Sequence, residues 1–175
     1  RAADMFMNAT ICNDVWMGAE SGSQKILDAM DKGTTIEEIK QARRLLKTHG
    51  IKASFFLQFG YPGEEMEDIR KTIDLLIETM PDDIGISVSY PLPGTGFYER
   101  VKHELTNKTN WTDSDELALM FVSAYSPAFY KHLHHYVHRL FRQKKALAVI
   151  RELKPSAIKK LTLFPYYILS ARKSL

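Results

Sequence analysis

The apolar run Val15-Trp16-Met17-Gly18-Ala19 ends on a carboxylate, Glu20, and the small residues Ser21-Gly22-Ser23 follow at once. An acid at the end of a strand that gives way to such a loop stands in an edge cleft beside backbone donors, where it accepts from ribose hydroxyls or an amino group. The same position suits an acid that only favours the positive end of a following helix. Two further loops have this character, Gly60-Tyr61-Pro62-Gly63-Glu64 and Pro91-Leu92-Pro93-Gly94-Thr95. The glycines of the first could cradle a phosphate, but no Lys-Ser/Thr pair follows them. That loop is therefore not a P-loop, and its glycines read first as a sharp strand-to-helix turn.

Other residues could do chemistry and are less telling. His134 and His138 are spaced i, i+4 beside His132 and His135, yet no HExxH is present and a solvated basic helix face explains them, so no metal site is expected. Cys12 has no cationic neighbour to activate it and reads as an inert buried thiol.

Elements must position these loops. Val15 to Ala19, Ile51 to Phe59 and Ile84 to Tyr90 read as strands. Between them, Gln24 to Met30 begins a brief helix. Thr35 with Glu38 forms a capping box ahead of the stripe Ile36, Ile39, Ala42, Leu45 and Leu46, and Gly50 stops that helix. Glu64 to Thr79 returns to helical spacing until Pro81. Strand, helix and strand in alternation predict parallel pairing with right-handed crossovers, which puts all three loops on one edge of the sheet. By alternation one face carries Gly18, Glu20, Ser54, Phe56, Gln58, Gly85, Ser87 and Ser89, too small and polar for an ordinary barrel core. The other carries Val15, Met17, Ala19, Ala53, Phe55, Leu57, Phe59, Ile84, Ile86, Val88 and Tyr90 and packs under the helices.

The 175 residues carry 24 Lys and Arg against 21 Asp and Glu, distributed unevenly. Residues 1–110 hold 13 basic and 17 acidic side chains, residues 111–175 hold 11 and 4. The second stretch reads as basic and helical, with a loop at Asn110-Trp111-Thr112-Asp113, a helix from about Asp115 and a longer one from Pro127 to Lys145 bearing Phe129, Leu133, Tyr136, Val137, Leu140 and Phe141 as its apolar stripe. One cysteine excludes a disulfide framework and any multi-thiolate metal site built by this chain alone. That cysteine usage fits a reducing, cytoplasmic setting, and no apolar run reaches the roughly 20 residues of a membrane span. With no Met at position 1, and Ala2 to Ala9 reading as the end of a helix already under way, the chain reads as a fragment of a longer protein.

Taken together, Trp16 to Ser23, Phe56 to Glu64 and Tyr90 to Thr95 resemble the fourth, fifth and sixth strand motifs of the radical S-adenosylmethionine enzymes. The likeness is strongest to the cobalamin-binding branch that includes the anaerobic magnesium-protoporphyrin monomethyl ester oxidative cyclase, with the methylthiotransferases as more distant relatives. It spans about residues 10–100. It implies an α/β fold, the second half of a partial six-stranded TIM-like (βα) barrel over 1–108, followed by a helical segment over 109–175. It implies a parent enzyme, an oxidoreductase or methyltransferase of a hydrophobic or tetrapyrrole-like small molecule. That parent would use S-adenosylmethionine and a [4Fe-4S] cluster, and cobalamin through an upstream domain.

Family members hold the cluster on a three-cysteine motif that this chain lacks, so the missing N-terminal half is an expected partner and the isolated chain is expected to be inactive. Carried over, Glu20 and Ser21 contact the ribose or methionyl end of the cofactor, Gln58 and Gly60 line the adenine and substrate side, and Tyr90 and Pro91 edge the adenine. The alternative is a non-catalytic α/β module whose basic helices bind RNA or an anionic membrane. On the enzyme reading nucleic acid is not expected, and a peripheral membrane contact of the basic tail remains open.

Overall fold

A computed structural model describes residues 13–105 and 121–152. The chain divides into two compact units, Arg1–His138 and Arg139–Leu175. In the first unit β1 (Asp14–Glu20), β2 (Lys52–Phe59) and β3 (Ile84–Val88) form one sheet in the order β1-β2-β3, parallel at both pairings. The connections contain α1 (Gln24–Ala29), α2 (Ile36–Thr48) and α3 (Met66–Thr79). After β3 come α4 (Gly96–Val101) and a single 3-10 turn, Lys102–Glu104. Helix α5 (Pro127–Glu152) starts in the first unit, and its stretch from Arg139 belongs to the second. The expected α/β architecture of adjacent parallel strands in chain order is present.

Local chemistry accounts for the helix ends. Thr35 Oγ1 accepts from the Glu38 N–H at 3.2 Å while Glu38 accepts from the Thr35 N–H at 2.8 Å, which closes the capping box of α2. The backbone bond from Thr35 holds the Glu38 carboxyl below its ordinary value. The buried stripe of α2 runs through Ile39, Arg43 and Leu46, whereas Leu45, expected inside, is 39% exposed. Arg43 replaces it because it shares the face of Ile39 and Leu46 and there donates to the Met80 carbonyl at 2.9 Å and pairs with Asp82 at 3.3 Å.

The apolar sheet face follows alternation in part: Val15, Met17 and Ile86 are only half-buried, and Tyr90, beyond the end of β3, lines the cleft instead of packing under the helices. Ala53, Phe55, Leu57, Phe59, Ile84 and Val88 are buried on that face with Ile26, Leu27, Ile69 and Leu76 from the helices. Each large side chain so placed contributes about 1.5 to 3 kcal/mol. On the opposite face Ser54 and Ser89 are buried, whereas Trp16 and Phe56 lie tilted against each other with ring centres 4.5 Å apart and stay about half exposed. Gly85 makes room for them, since a Cβ there would meet the Phe56 ring at 2.9 Å.

Several boundaries differ from the sequence reading, three of them by two residues or more. Strand β3 ends at Val88 rather than Tyr90; the Ser89 N–H still donates to the Phe59 carbonyl at 2.8 Å, but Pro91 has no N–H to extend the ladder. Helix α3 begins at Met66, because Glu64 turns inward to the preceding loop and Glu65 is extended. Helix α5 runs to Glu152, beyond Lys145. Within the first unit its buried stripe is Tyr130, Leu133 and Val137, spaced i, i+3, i+7, with Tyr136 left 56% exposed. The expectations for Cys12, the Trp111 loop and the helix from Asp115 lie outside the described residues.

Candidate functional site

The three loops converge at the C-terminal edge of the sheet, and each is shaped differently. At the end of β1 the pairing register slips, with Gly18 opposite Phe56 and Glu20 opposite Leu57. Glu20 takes a left-handed φ of 55° in this bulge. Its carboxylate folds back over Gly18, where a Cβ would lie 2.8 Å from Glu20 Oε1. Lys32 donates to that same oxygen at 2.8 Å. Asp31, just before Lys32, is likewise left-handed at φ 55°. Among the described residues only three non-glycine positions have positive φ, and two of them frame this one ion pair. Backbone held in that region costs on the order of 1 to 3 kcal/mol each and clusters at functional sites.

Ser21, expected at the cofactor, is turned the other way. It is fully buried, its hydroxyl lies 3.2 Å from Thr72 Oγ1, and it accepts from the Ser23 N–H at 3.1 Å. Gly22 donates to Thr72 Oγ1 at 2.9 Å, and Ser23 donates to Asp68 at 2.6 Å. The Ser21-Gly22-Ser23 loop is thus moored to α3. Asp68 also accepts from Lys25 at 3.1 Å and from the Glu65 N–H at 3.0 Å. Burial works to raise the Asp68 carboxyl, but the bonds from Ser23, Glu65 and Lys25 together outweigh it and hold it below its usual range.

A cleft of about 600 Å³ opens beside these loops, within the range of cofactor pockets. Gln58 and Tyr90, two of the expected residues, line it together with Asp31, Lys32, Tyr61, Phe97 and Arg100. Glu20 adjoins it through Lys32. Gly60 and Pro91 are buried next to the lining residues Tyr61, Tyr90 and Leu92. Tyr61 is the anchor of the wall: its hydroxyl donates to the Ala29 carbonyl at 2.7 Å, and Arg100 donates to that hydroxyl while lying 5.7 Å from the ring centre. Phe97 packs on the same ring at 4.9 Å.

Lys32 and Arg100 carried no signal in the sequence, since each is an ordinary charged residue without a motif, and Tyr61 was legible only as a member of the Gly60 to Glu64 loop. Glu64 was legible only as the end of a turn and the first residue of the helical spacing that follows. His134 and His138 have ring centres 4.5 Å apart, and among the described residues no cluster of three or more His, Cys, Asp or Glu side chains is arranged to hold a metal ion. Among them, too, no helix is long and apolar enough to cross a membrane. A cluster ligated by three thiolates does not fit this chain, whose single thiol is Cys12. Reconstituted anaerobically with iron and sulfide, the chain is expected to hold no stoichiometric cluster; full iron–sulfur absorbance would contradict this.

No protein-family profile matches the chain. It is similar to a provisionally named methylthiotransferase of Methanocaldococcus jannaschii, 38% identical over 81 residues, 46% of this chain and 18% of that protein. A tRNA-2-methylthio-N(6)-dimethylallyladenosine synthase of a Sulfurihydrogenibium species is 36% identical over 87 residues, covering 49% and 20%. An uncharacterized methyltransferase of Pyrococcus horikoshii is 30% identical over 101 residues, covering 57% and 22%. The chain spans about a fifth of the length of these curated relatives. The methylthiotransferases are radical S-adenosylmethionine enzymes, so the matches support the superfamily to which the loops are similar.

Proposed function

We propose that this chain supplies the cofactor-lining part of the barrel in a radical S-adenosylmethionine enzyme that transfers a methyl or methylthio group. The observation that carries the proposal is the convergence of three parallel strand ends on one cleft, with a strained, ion-paired carboxylate at its mouth. The methyl- and methylthiotransferase names of the relatives agree with it. The cobalamin branch and a tetrapyrrole-like substrate rest on the loop resemblance alone. A base-modified RNA is the substrate class that the Sulfurihydrogenibium relative's name adds. The cluster would be held by an upstream part of the parent protein, which makes that part the partner this chain requires for activity.

Within the cleft each residue has a task. S-adenosylmethionine, when bound, brings a sulfonium whose carbon–sulfur bonds are the reactive ones. Glu20 keeps one oxygen on Lys32 and offers the other to the cofactor's hydroxyls or ammonium, with Lys32 fixing its orientation. Gln58 presents an amide to the cleft, and the backbone at Gly60, Tyr90 and Pro91 edges the planar base. Ser21 acts through the scaffold, holding the loop on Thr72.

In the full-length protein Glu20→Gln is expected to weaken S-adenosylmethionine binding about ten- to a hundredfold, the equivalent of one charge-assisted hydrogen bond of roughly 1.5 to 3 kcal/mol. Stability should barely move, because the Lys32 pair is partly exposed. Calorimetric binding and a denaturant melt on the same variant decide the matter: intact affinity with lost stability would make Glu20 a scaffold acid. A CxxxCxxC motif in the upstream coding sequence would meet the requirement for cluster ligands, and its absence would defeat the superfamily reading.

A further inference from the structure

Glu64 is 1% exposed, yet it is a carboxyl with no cation hydrogen-bonded to it. Its Oε2 accepts from the Gly60 N–H at 2.6 Å, its own N–H donates to the Tyr61 carbonyl at 2.9 Å, and its Oε1 is buried without a hydrogen-bond partner. The side chain thereby closes the turn over Gly60 and Gly63, whose φ values of 81° and 82° only glycine adopts easily. Tyr61 sits in this turn and forms a wall of the cleft, pinned to Ala29 and Arg100 at its far end. A shift of Gly60 is therefore transmitted to the cleft through one residue.

We propose that Glu64 is a positioning residue whose buried carboxyl sets where Gly60 and Tyr61 stand against a bound ligand, and that gain or loss of its proton moves them. The inference rests on the cofactor reading of the cleft only for the identity of that ligand. The groups that face Glu64 are Asp68 of α3, Lys25 of α1 and Tyr130 of α5. Burial outweighs the Gly60 N–H and Lys25, Asp68 adds to it, and the carboxyl is pushed up to about 7. Ionised, Oε2 is a charge-assisted acceptor that draws Gly60 in. Protonated at the unpartnered Oε1, the group keeps only a neutral acceptor for Gly60, and the turn relaxes.

Nuclear magnetic resonance of the 15N,13C-labelled chain between pH 5 and 9 tests this without any mutation. The Gly60 amide and the Tyr61 ring are expected to titrate together with a midpoint near the 7 of Glu64. In Glu64→Gln, which keeps a neutral acceptor for Gly60, both midpoints should vanish while the spectrum stays that of the folded chain. In the full-length protein the affinity for S-adenosylhomocysteine should change several-fold over the same pH range and become flat in Glu64→Gln. A Gly60 amide that stays fixed across the range, or one that titrates unchanged in Glu64→Gln, overturns the role of Glu64. Absence of S-adenosylhomocysteine binding at every pH, with the Gly60 titration present, instead overturns the cofactor reading and leaves Glu64 as the positioner of a cleft for another ligand.

Discussion

Gly22→Ala is expected to destabilise the protein by about 3 kcal/mol or more, the upper end for forcing one extra carbon into a packed interior. A Cβ at position 22 would lie 2.2 Å from the Lys71 carbonyl oxygen and 2.6 Å from Thr72 Cα, so the backbone of α3 or the loop itself must move. Moving either breaks the Gly22 bond to Thr72, the Ser21–Thr72 contact and the Ser23–Asp68 bond, which share that approach. Gly96→Ala is the matched control, because a Cβ there meets nothing within 4 Å. It should be neutral or stabilising by up to about 1 kcal/mol. Urea unfolding of the two variants gives the comparison, and a Gly22→Ala loss below about 1 kcal/mol would show that the loop is not moored to α3 as described.

The second large effect is a dependence of stability on pH. Glu64 ionises at about 7 in the folded chain against an ordinary 4.5. A carboxyl with a raised folded value binds its proton more tightly folded than unfolded. Its stabilising contribution is complete below the unfolded value and is lost as pH rises through the folded one. At roughly 1.4 kcal/mol per unit, stability should fall by on the order of 3 kcal/mol between about pH 4.5 and 7, then level off. Asp68, whose value is lowered, acts in the opposite sense and in a more acidic window. Glu64→Gln removes the titration, so the difference between its stability profile and that of the wild type isolates Glu64. Parallel profiles from pH 4 to 8 would mean that the carboxyl is hydrated in solution.

Much of the frame is legible in the chain itself. Alternation along β2 separates Phe55, Leu57 and Phe59 from Ser54, Phe56 and Gln58, and the buried set is the one it names, although Ser54 is buried as well. Thr35 and Glu38 announce the start of α2 because a capping box is satisfied within four residues of chain. The convergence of the loops followed from strand-helix-strand order and the handedness of crossovers. Each of these rests on interactions close in sequence or on a chirality that every chain shares.

Side-chain partners across long separations were not legible. Glu20 and Lys32 are twelve residues apart and meet because a bulge turns one and a left-handed Asp31 turns the other. Tyr61 meets Ala29 and Arg100 across separations of 32 and 39 residues. Ser21 reads like a cofactor contact in the chain, and only the approach of α3 shows its hydroxyl spent on Thr72. Glu64 looks like a helix-starting acid until its burial is seen. The sequence by itself determined which segments become strands and helices, which sheet face is apolar and on which edge a ligand would sit, since local hydrogen bonding and periodic burial settle those. Which polar groups are free to meet that ligand was decided only by tertiary structure, because a side chain's availability depends on what distant backbone and side chains have already claimed from it.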